Sequence, residues 1–189
     1  MSSLRVTAGT LRGRRVPLPP RDVRPTSERA RQAYFNIVGD RIDGARFLDL
    51  FAGSGIFSFE AVSRGAASST AVEENRKYAA AIAALAAAWK APVTVLARDV
   101  FQALPKLGAF DLVYADPPYE LGRYDELVEA IGAVANDGTL VAVEHRRLAV
   151  GGWPLADETT ANGQRPTANQ LHPLRTVEYG EVSITFFTR

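Results

Sequence analysis

The stretch Phe47-Leu48-Asp49-Leu50-Phe51-Ala52-Gly53-Ser54-Gly55 passes from a short apolar strand into a glycine-rich turn. A helical pattern follows from about Ile56 to Arg64, so the stretch reads as the first β-turn-α unit of a doubly wound sheet. Gly53 and Gly55 allow the backbone to come close to a ligand, and the helix start offers unpaired N–H groups to a carboxylate or phosphate. Taken alone, two glycines in such a turn are equally well explained as tight-turn residues.

The alternation continues downstream. Ser69 to Glu73 reads as a second strand, Arg76 to Trp89 as an Ala-rich helix, and Val93 to Leu96 as a third strand. Phe110-Asp111-Leu112-Val113-Tyr114-Ala115 is a fourth, mostly apolar and β-prone, and stops at Asp116-Pro117-Pro118-Tyr119, where two prolines forbid further pairing. Asp125 to Val134 is helical in pattern and Thr139 to Glu144 a fifth strand. Thr176 to Tyr179 and Val182 to Phe187, joined by Gly180-Glu181, form a hairpin that adds an antiparallel strand. The fold class is therefore α/β: a doubly wound, mostly parallel seven-stranded sheet with an antiparallel C-terminal hairpin strand. Gly151 to Pro173 is polar, rich in Gly, Pro, Asn and Thr, and reads as a long loop.

Ahead of this body, Leu4 to Gly9 and Leu11 to Leu18 read as two short strands about a glycine-containing turn, too short to bury a core alone. The organisation expected is a basic β-hairpin arm over residues 1–25 and a catalytic domain over residues 26–189. Thr26 or Ser27 can cap a helix holding Ala30, Ala33, Tyr34, Ile37 and Val38. Thr26 and Asn36 either reach toward a cofactor or serve as a cap and a solvent-facing side chain.

The 189 residues are 47% apolar, enough for one domain with a real core. The absence of cysteine excludes disulfides, thiolate metal sites and thiol nucleophiles, and two histidines make zinc chemistry a poor fit. No signal-like N-terminus and no apolar stretch near the roughly 20 residues of a membrane span is present, so a cytoplasmic protein is expected. The net charge of +1 hides an asymmetry: residues 1–46 carry ten Arg against four acids, whereas the remainder is acidic. A basic arm on an acidic body suits a polyanion partner, and Arg5, Arg12, Arg14, Arg15 and Arg24 are its candidate phosphate contacts.

Glu73 ends the second strand twenty residues after Gly53, where an acid accepts hydrogen bonds from both ribose hydroxyls of a nucleoside. Asp99, after the third strand, would face an adenine, with the Val100 N–H beside it. A nicotinamide dehydrogenase would share these features. Asp116 to Tyr119 separates the two. An exocyclic amine on a base is a poor nucleophile, because its lone pair is delocalised into the ring. If the Asp116 carboxylate and the Pro117 carbonyl accept its two hydrogens, the lone pair is released toward a methyl donor. Tyr119 would stack on a base that has left its own stack. Asp116 could also be simply a turn-forming acid.

Together, Asp49 to Gly55 and Asp116 to Tyr119 resemble the Rossmann-type S-adenosylmethionine-dependent amino-methyltransferases. With Arg5-Val6-Thr7-Ala8-Gly9-Thr10-Leu11-Arg12-Gly13-Arg14, Arg24-Pro25-Thr26 and Phe35-Asn36, the chain resembles the RsmD family, bacterial small-subunit ribosomal RNA guanine-N2 methyltransferases. The resemblance implies S-adenosylmethionine held by the Asp49 to Gly55 segment, Glu73, Asp99 and Val100, with no metal. It implies a target guanine at Asp116, Pro117 and Tyr119, guanine 966 in the conventional count of 16S rRNA. The expected partner is 16S rRNA in the assembled or assembling 30S subunit, met by a monomer. A DNA adenine-N6 methyltransferase and a ribosome assembly factor with incidental methylation are the rivals. Ser58 stands where the family often has glycine, a small-for-small change expected to be harmless.

Overall fold

The structure, a computed structural model, describes residues 3–18, 28–146 and 171–189. Two strands, β1 (Ser3–Arg5) and β2 (Arg15–Pro17), pair antiparallel as a small separate sheet. Helix α1 (Glu28–Val38) leads into β3 (Arg46–Leu50), α2 (Ile56–Ser63), β4 (Ser68–Val72), α3 (Arg76–Trp89) and β5 (Val93–Leu96). Then come α4 (Val100–Ala103), β6 (Phe110–Ala115), α5 (Tyr124–Gly132), β7 (Ala135–Arg146), β8 (His172–Tyr179) and β9 (Val182–Thr188).

Among the described residues the main sheet has seven strands in the order β5-β4-β3-β6-β7-β9-β8. The first five run parallel, and β9 pairs antiparallel with both β7 and β8. The doubly wound, mostly parallel sheet with an antiparallel C-terminal hairpin is thus borne out. β3 and β6 are neighbours although α2, β4, α3, β5 and α4 intervene in the chain, so the strand order reverses between them. The crevice beyond their C-terminal ends is where such sheets take ligands.

The central strands are apolar almost throughout because both faces are covered. Phe47, Leu112 and Tyr114 face α1 and α2, while Leu48, Val113 and Ala115 face the side closed by α4 and α5. Phe57 of α2 stacks on Tyr114 of β6 with ring centroids 3.8 Å apart, and Tyr34 of α1 meets Tyr114 edge-on at 4.9 Å. Such pairs add roughly 0.5–1.5 kcal/mol beyond the area they bury.

The strands of the N-terminal hairpin cover only Ser3–Arg5 and Arg15–Pro17 where Leu4 to Gly9 and Leu11 to Leu18 were expected, and the C-terminal strands also differ from the sequence reading. β7 begins at Ala135 and ends at Arg146, because a register shift against β6 takes in Asn136 to Gly138, with Asn136 N–H donating to Thr139 Oγ1 at 2.8 Å. β8 begins at His172, so Leu171 to Pro173 leave the expected loop. Pro173 is tolerated because β8 is an edge strand whose N–H need not enter a ladder, and a bulge lies between Pro173 and Arg175. The rest of that loop, and the caps Thr26 and Ser27, lie outside the described residues.

The N-terminal hairpin is fastened to the body by α2. Val6, Leu11 and Val16 are buried within the main core. Glu60 receives the Thr7 N–H at 2.8 Å, the Thr7 hydroxyl at 2.5 Å and the Ala8 N–H at 3.2 Å. It also receives Arg64 Nε at 2.8 Å, and Arg31 Nε lies 3.7 Å away. One helical turn on, Ser63 takes the Thr10 N–H on its carbonyl and the Leu11 N–H on its hydroxyl, both at 2.8 Å. Gly9 adopts φ +76° so close to Ser63 that a Cβ there would lie 1.6 Å from the Ser63 carbonyl oxygen.

Arg31 and Glu60 are both fully buried, and burial holds the Arg31 guanidinium below its usual pKa. Removing one partner of such a pair leaves the other charge uncompensated, at a cost of about 3–5 kcal/mol. Glu60→Ala should lose that much stability in urea unfolding and expose the hairpin to proteolysis; a loss under about 1 kcal/mol would contradict the role assigned to Glu60.

Candidate active site

A cavity of about 850 Å³ opens at the C-terminal ends of β3, β4, β6 and β7. Each of these strands stops where its chain must turn, so the residues just past the strand ends collect around one space. Gly53 enters from the turn after β3, Glu73 from β4, Asp99 and Val100 from the start of α4, and Asp116, Pro117 and Tyr119 from β6. Seven of the expected site residues therefore share the cavity.

The glycine turn is tied directly to the acid after β4. The Gly53 N–H donates to Glu73 Oε2 at 2.7 Å, and the Asn75 N–H donates to Oε1 at 2.8 Å. Burial raises the Glu73 pKa, and these two hydrogen bonds work against that rise. Each oxygen of a carboxylate has a second lone pair, so the geometry fixes the acid and keeps acceptor capacity for a diol. The turn begins at Phe51, a non-glycine residue at φ +60° that also lines the cavity; backbone strain of this sort clusters at ligand sites.

Asp49 and Gly55 are placed differently from expectation. Asp49 is 2% exposed and does not line the cavity; its Oδ2 accepts the Ser58 N–H at 3.0 Å and the Ser58 hydroxyl at 2.7 Å. The first turn of α2 thus receives its anion from the protein itself. Its role is to fix the helix behind the turn, because a carboxylate aimed at helix N–H groups satisfies donors that have no intrahelical partner. Gly55 sits at φ +76° with Ile82 so near that a Cβ would lie 2.9 Å from its side chain. It is required for packing against α3. Ser58, expected to be a neutral replacement for glycine, supplies a hydrogen bond to a buried acid.

Asp99 lines the cavity while its Oδ1 accepts the Gln102 N–H at 3.0 Å, capping α4, and Val100 follows in that helix's first turn. The Asp116 N–H donates to the Leu50 carbonyl at 3.3 Å, continuing the β3–β6 pairing one residue beyond the strands. Pro117 is buried, and the Pro118 carbonyl accepts the Leu121 N–H at 2.9 Å, closing the turn that carries Tyr119. The Arg146 guanidinium lies over the Tyr119 ring, 5.0 Å from its centroid.

Arg5, Arg12, Arg14 and Arg15 are exposed on the hairpin, whereas Arg24 is outside the described residues. Arg14 lies 5.3 Å from the Trp89 ring centroid, and Arg15 donates to the Ser3 hydroxyl at 3.1 Å. Asn36 is exposed beside Gly9 and Arg64, away from the cavity.

Glu144 and Arg146, both lining the cavity from β7, were not singled out from the sequence. Glu144 is 2% exposed and accepts the Tyr114 hydroxyl at 2.5 Å. The available signal was an acid ending an apolar strand, the same pattern that marked Asp116.

The protein-family model described as "Conserved hypothetical protein 95" matches residues 4–187 of this chain. The chain belongs to that family. The Conserved hypothetical protein 95 match is accompanied by similarity to "Ribosomal RNA small subunit methyltransferase D" of Escherichia coli K12, 35% identical over 147 residues, spanning 75% of this chain and 74% of that protein. The resemblance to the RsmD family is thereby borne out. The solved structure of Escherichia coli yhhF matches with a TM-score of 0.81 and 28% identity, covering 100% of this chain and 98% of that one. The T. thermophilus 16S rRNA N2 G1207 methyltransferase RsmC, solved with AdoMet and guanosine, gives a TM-score of 0.71 over 100% of this chain and 50% of that one. At 20% identity that likeness is one of fold.

Burial raises the Asp49 carboxyl to about 7; the Ser58 hydrogen bonds lower it, and nearby Asp116 and Glu73 raise it. Between the ordinary carboxylate range and about 7, the folded protein holds a proton here that the unfolded chain has released. The contribution to stability therefore falls as pH rises through that window, by up to about 1.4 kcal/mol per pH unit. Asp49→Asn should flatten the decline in urea-unfolding stability between about pH 5 and about pH 7 relative to the unaltered protein; an identical decline would exclude Asp49 as its source.

Proposed function

We propose that the protein is a cytoplasmic S-adenosylmethionine-dependent methyltransferase acting as a monomer on the exocyclic N2 amine of one guanine in 16S rRNA, guanine 966. The observation that carries this reading is the meeting of Asp116 and Pro117 with Glu73 in one strongly acidic cavity. Among the described residues, seven acidic side chains line it against two arginines. A sulfonium donor is cationic and suits that field, whereas a dinucleotide would bring an anionic pyrophosphate into it. Family membership and the name of the Escherichia coli relative support the ribosomal assignment.

S-adenosylmethionine, when bound, supplies an electrophilic methyl group. Glu73 would hold its ribose hydroxyls, Asp99 and the Val100 N–H its adenine, and the Gly53 turn its methionine part. Asp116 and the Pro117 carbonyl accept the two amine hydrogens, draw the nitrogen toward tetrahedral geometry and direct its lone pair. As the N–C bond forms and the methyl–sulfur bond breaks to leave a neutral thioether, the surplus amine proton would pass along the hydrogen bond to Asp116. The catalysis is positioning and preorganised dipoles. Tyr119 stacks on the extruded base, and the hairpin arginines contact phosphates.

Labelled S-adenosylmethionine should deliver label to N2-methylguanine in small subunits lacking that methyl group, and Asp116→Ala should reduce turnover by at least about 100-fold with cofactor affinity retained. Label in adenine of unmethylated DNA would favour the DNA-methyltransferase rival. Binding to small subunits without any transfer would favour the assembly-factor rival.

For the hairpin, Arg12→Ala with Arg14→Ala should weaken RNA binding and reduce the salt slope by about two phosphate contacts. Cofactor affinity should be unchanged. Equal RNA affinity across a salt series would remove the arginines from the interface.

A further inference from the structure

The reading above leaves open how guanine is told from other bases that carry an exocyclic amine. We infer that Glu144 is the specificity-determining residue, accepting the N1–H of the target guanine beside the amine held by Asp116 and Pro117; this rests on the guanine-N2 reading.

The placement follows from strand register. Tyr114 of β6 pairs with Ala142 of β7, and Ala115 pairs with Val143, so Asp116 and Glu144 come next at the same level. Adjacent strands lie about 4.8 Å apart, and residues in register point to the same face. Both side chains line the cavity. His145, the residue between Glu144 and Arg146, is directed elsewhere: its Nε2 meets Thr185 Oγ1 and its Nδ1 the Arg146 carbonyl, both at 2.8 Å.

Glu144 is also held in orientation. Its Oε2 accepts the Tyr114 hydroxyl at 2.5 Å, and Tyr114 is clamped by the stack on Phe57. A carboxylate that is 2% exposed at a cavity wall has lost most of its water. At such a wall a base edge offering a donor meets an acceptor, whereas one offering a lone pair sets two acceptors against each other.

The Watson–Crick edge of guanine presents the N2 amine, then N1–H, then the O6 acceptor. From β6 across β7 the protein presents the Asp116 carboxylate, the Glu144 carboxylate and the Arg146 guanidinium. The two neighbouring acceptors complement the N2 amine and N1–H of that edge, and Arg146, which lies over Tyr119, lines the same cavity. Adenine places a lone pair at N1 next to its amine, which would face Glu144 unfavourably. Rejection by an unsatisfied buried polar group is far stronger than rejection by shape alone.

The test uses RNA of the target region carrying guanine or 2-aminopurine at the target position. 2-Aminopurine keeps the amine at C2 but has an unprotonated N1 and no O6, so the change in ratio between variants, and not the ratio alone, reads the Glu144 contact. The unaltered protein should transfer methyl to guanine at least about tenfold faster than to 2-aminopurine. Glu144→Gln, whose amide can donate to N1, should reduce that ratio at least about tenfold. Tyr114→Phe, which leaves Glu144 in place without its orienting donor, should lower the ratio several-fold while S-adenosylmethionine affinity persists. If Glu144→Gln loses cofactor binding through misfolding, the Tyr114→Phe ratio decides. A ratio unchanged in a folded variant overturns the role of Glu144 and leaves the guanine-N2 reading standing. No transfer to guanine by the unaltered protein overturns that reading, and this inference with it.

Discussion

The parallel pairing of β3 with β6 is the constraint from which the site descends. Leu50 pairs with Ala115, and the Asp116 N–H continues the ladder to the Leu50 carbonyl. This register brings the glycine turn beside the Pro-Pro turn, although more than fifty residues separate them in the chain. Slippage by one residue would turn Asp49, Tyr114 and every core side chain of either strand to the wrong face. The aromatic packing of Tyr34, Phe57 and Tyr114 opposes such slippage, since these rings fit only one arrangement of α1 and α2 over β6.

A second theme is the division of labour among acids. Asp49 binds the start of α2, Glu60 binds the hairpin, and Glu73 fixes the turn, each by accepting backbone N–H groups. Asp116 and Glu144 occupy the cavity wall. Burial is the main reason that the carboxyls of Asp49 and Glu73 sit above the ordinary range, and neighbouring acids add to the rise.

Much of this organisation was legible in the residue pattern. Strands buried on both faces announce themselves as apolar runs, and Asp116-Pro117-Pro118-Tyr119 marks a strand end unambiguously because proline cannot continue the ladder. The differences have physical causes. Pro173 reads as a loop breaker only if β8 is assumed to lie inside the sheet. Asp49 and Gly55 share a motif with Gly53, but sequence adjacency does not reveal which residue lines the cavity and which packs on a neighbouring helix. Glu144 escaped because its significance lies in register with Asp116 across β7, and pairing partners are not written in local sequence.

The hairpin's attachment has a mechanical consequence. Its two anchors, Glu60 and Ser63, stand on the same eight-residue helix whose first turn borders the glycine turn. At about 1.5 Å per residue, that helix is a rod about 12 Å long. With Gly9 against one end and the glycine turn at the other, no pliable segment lies between them. The helix is a calliper: the hairpin's outer surface is held at a set distance from the cavity.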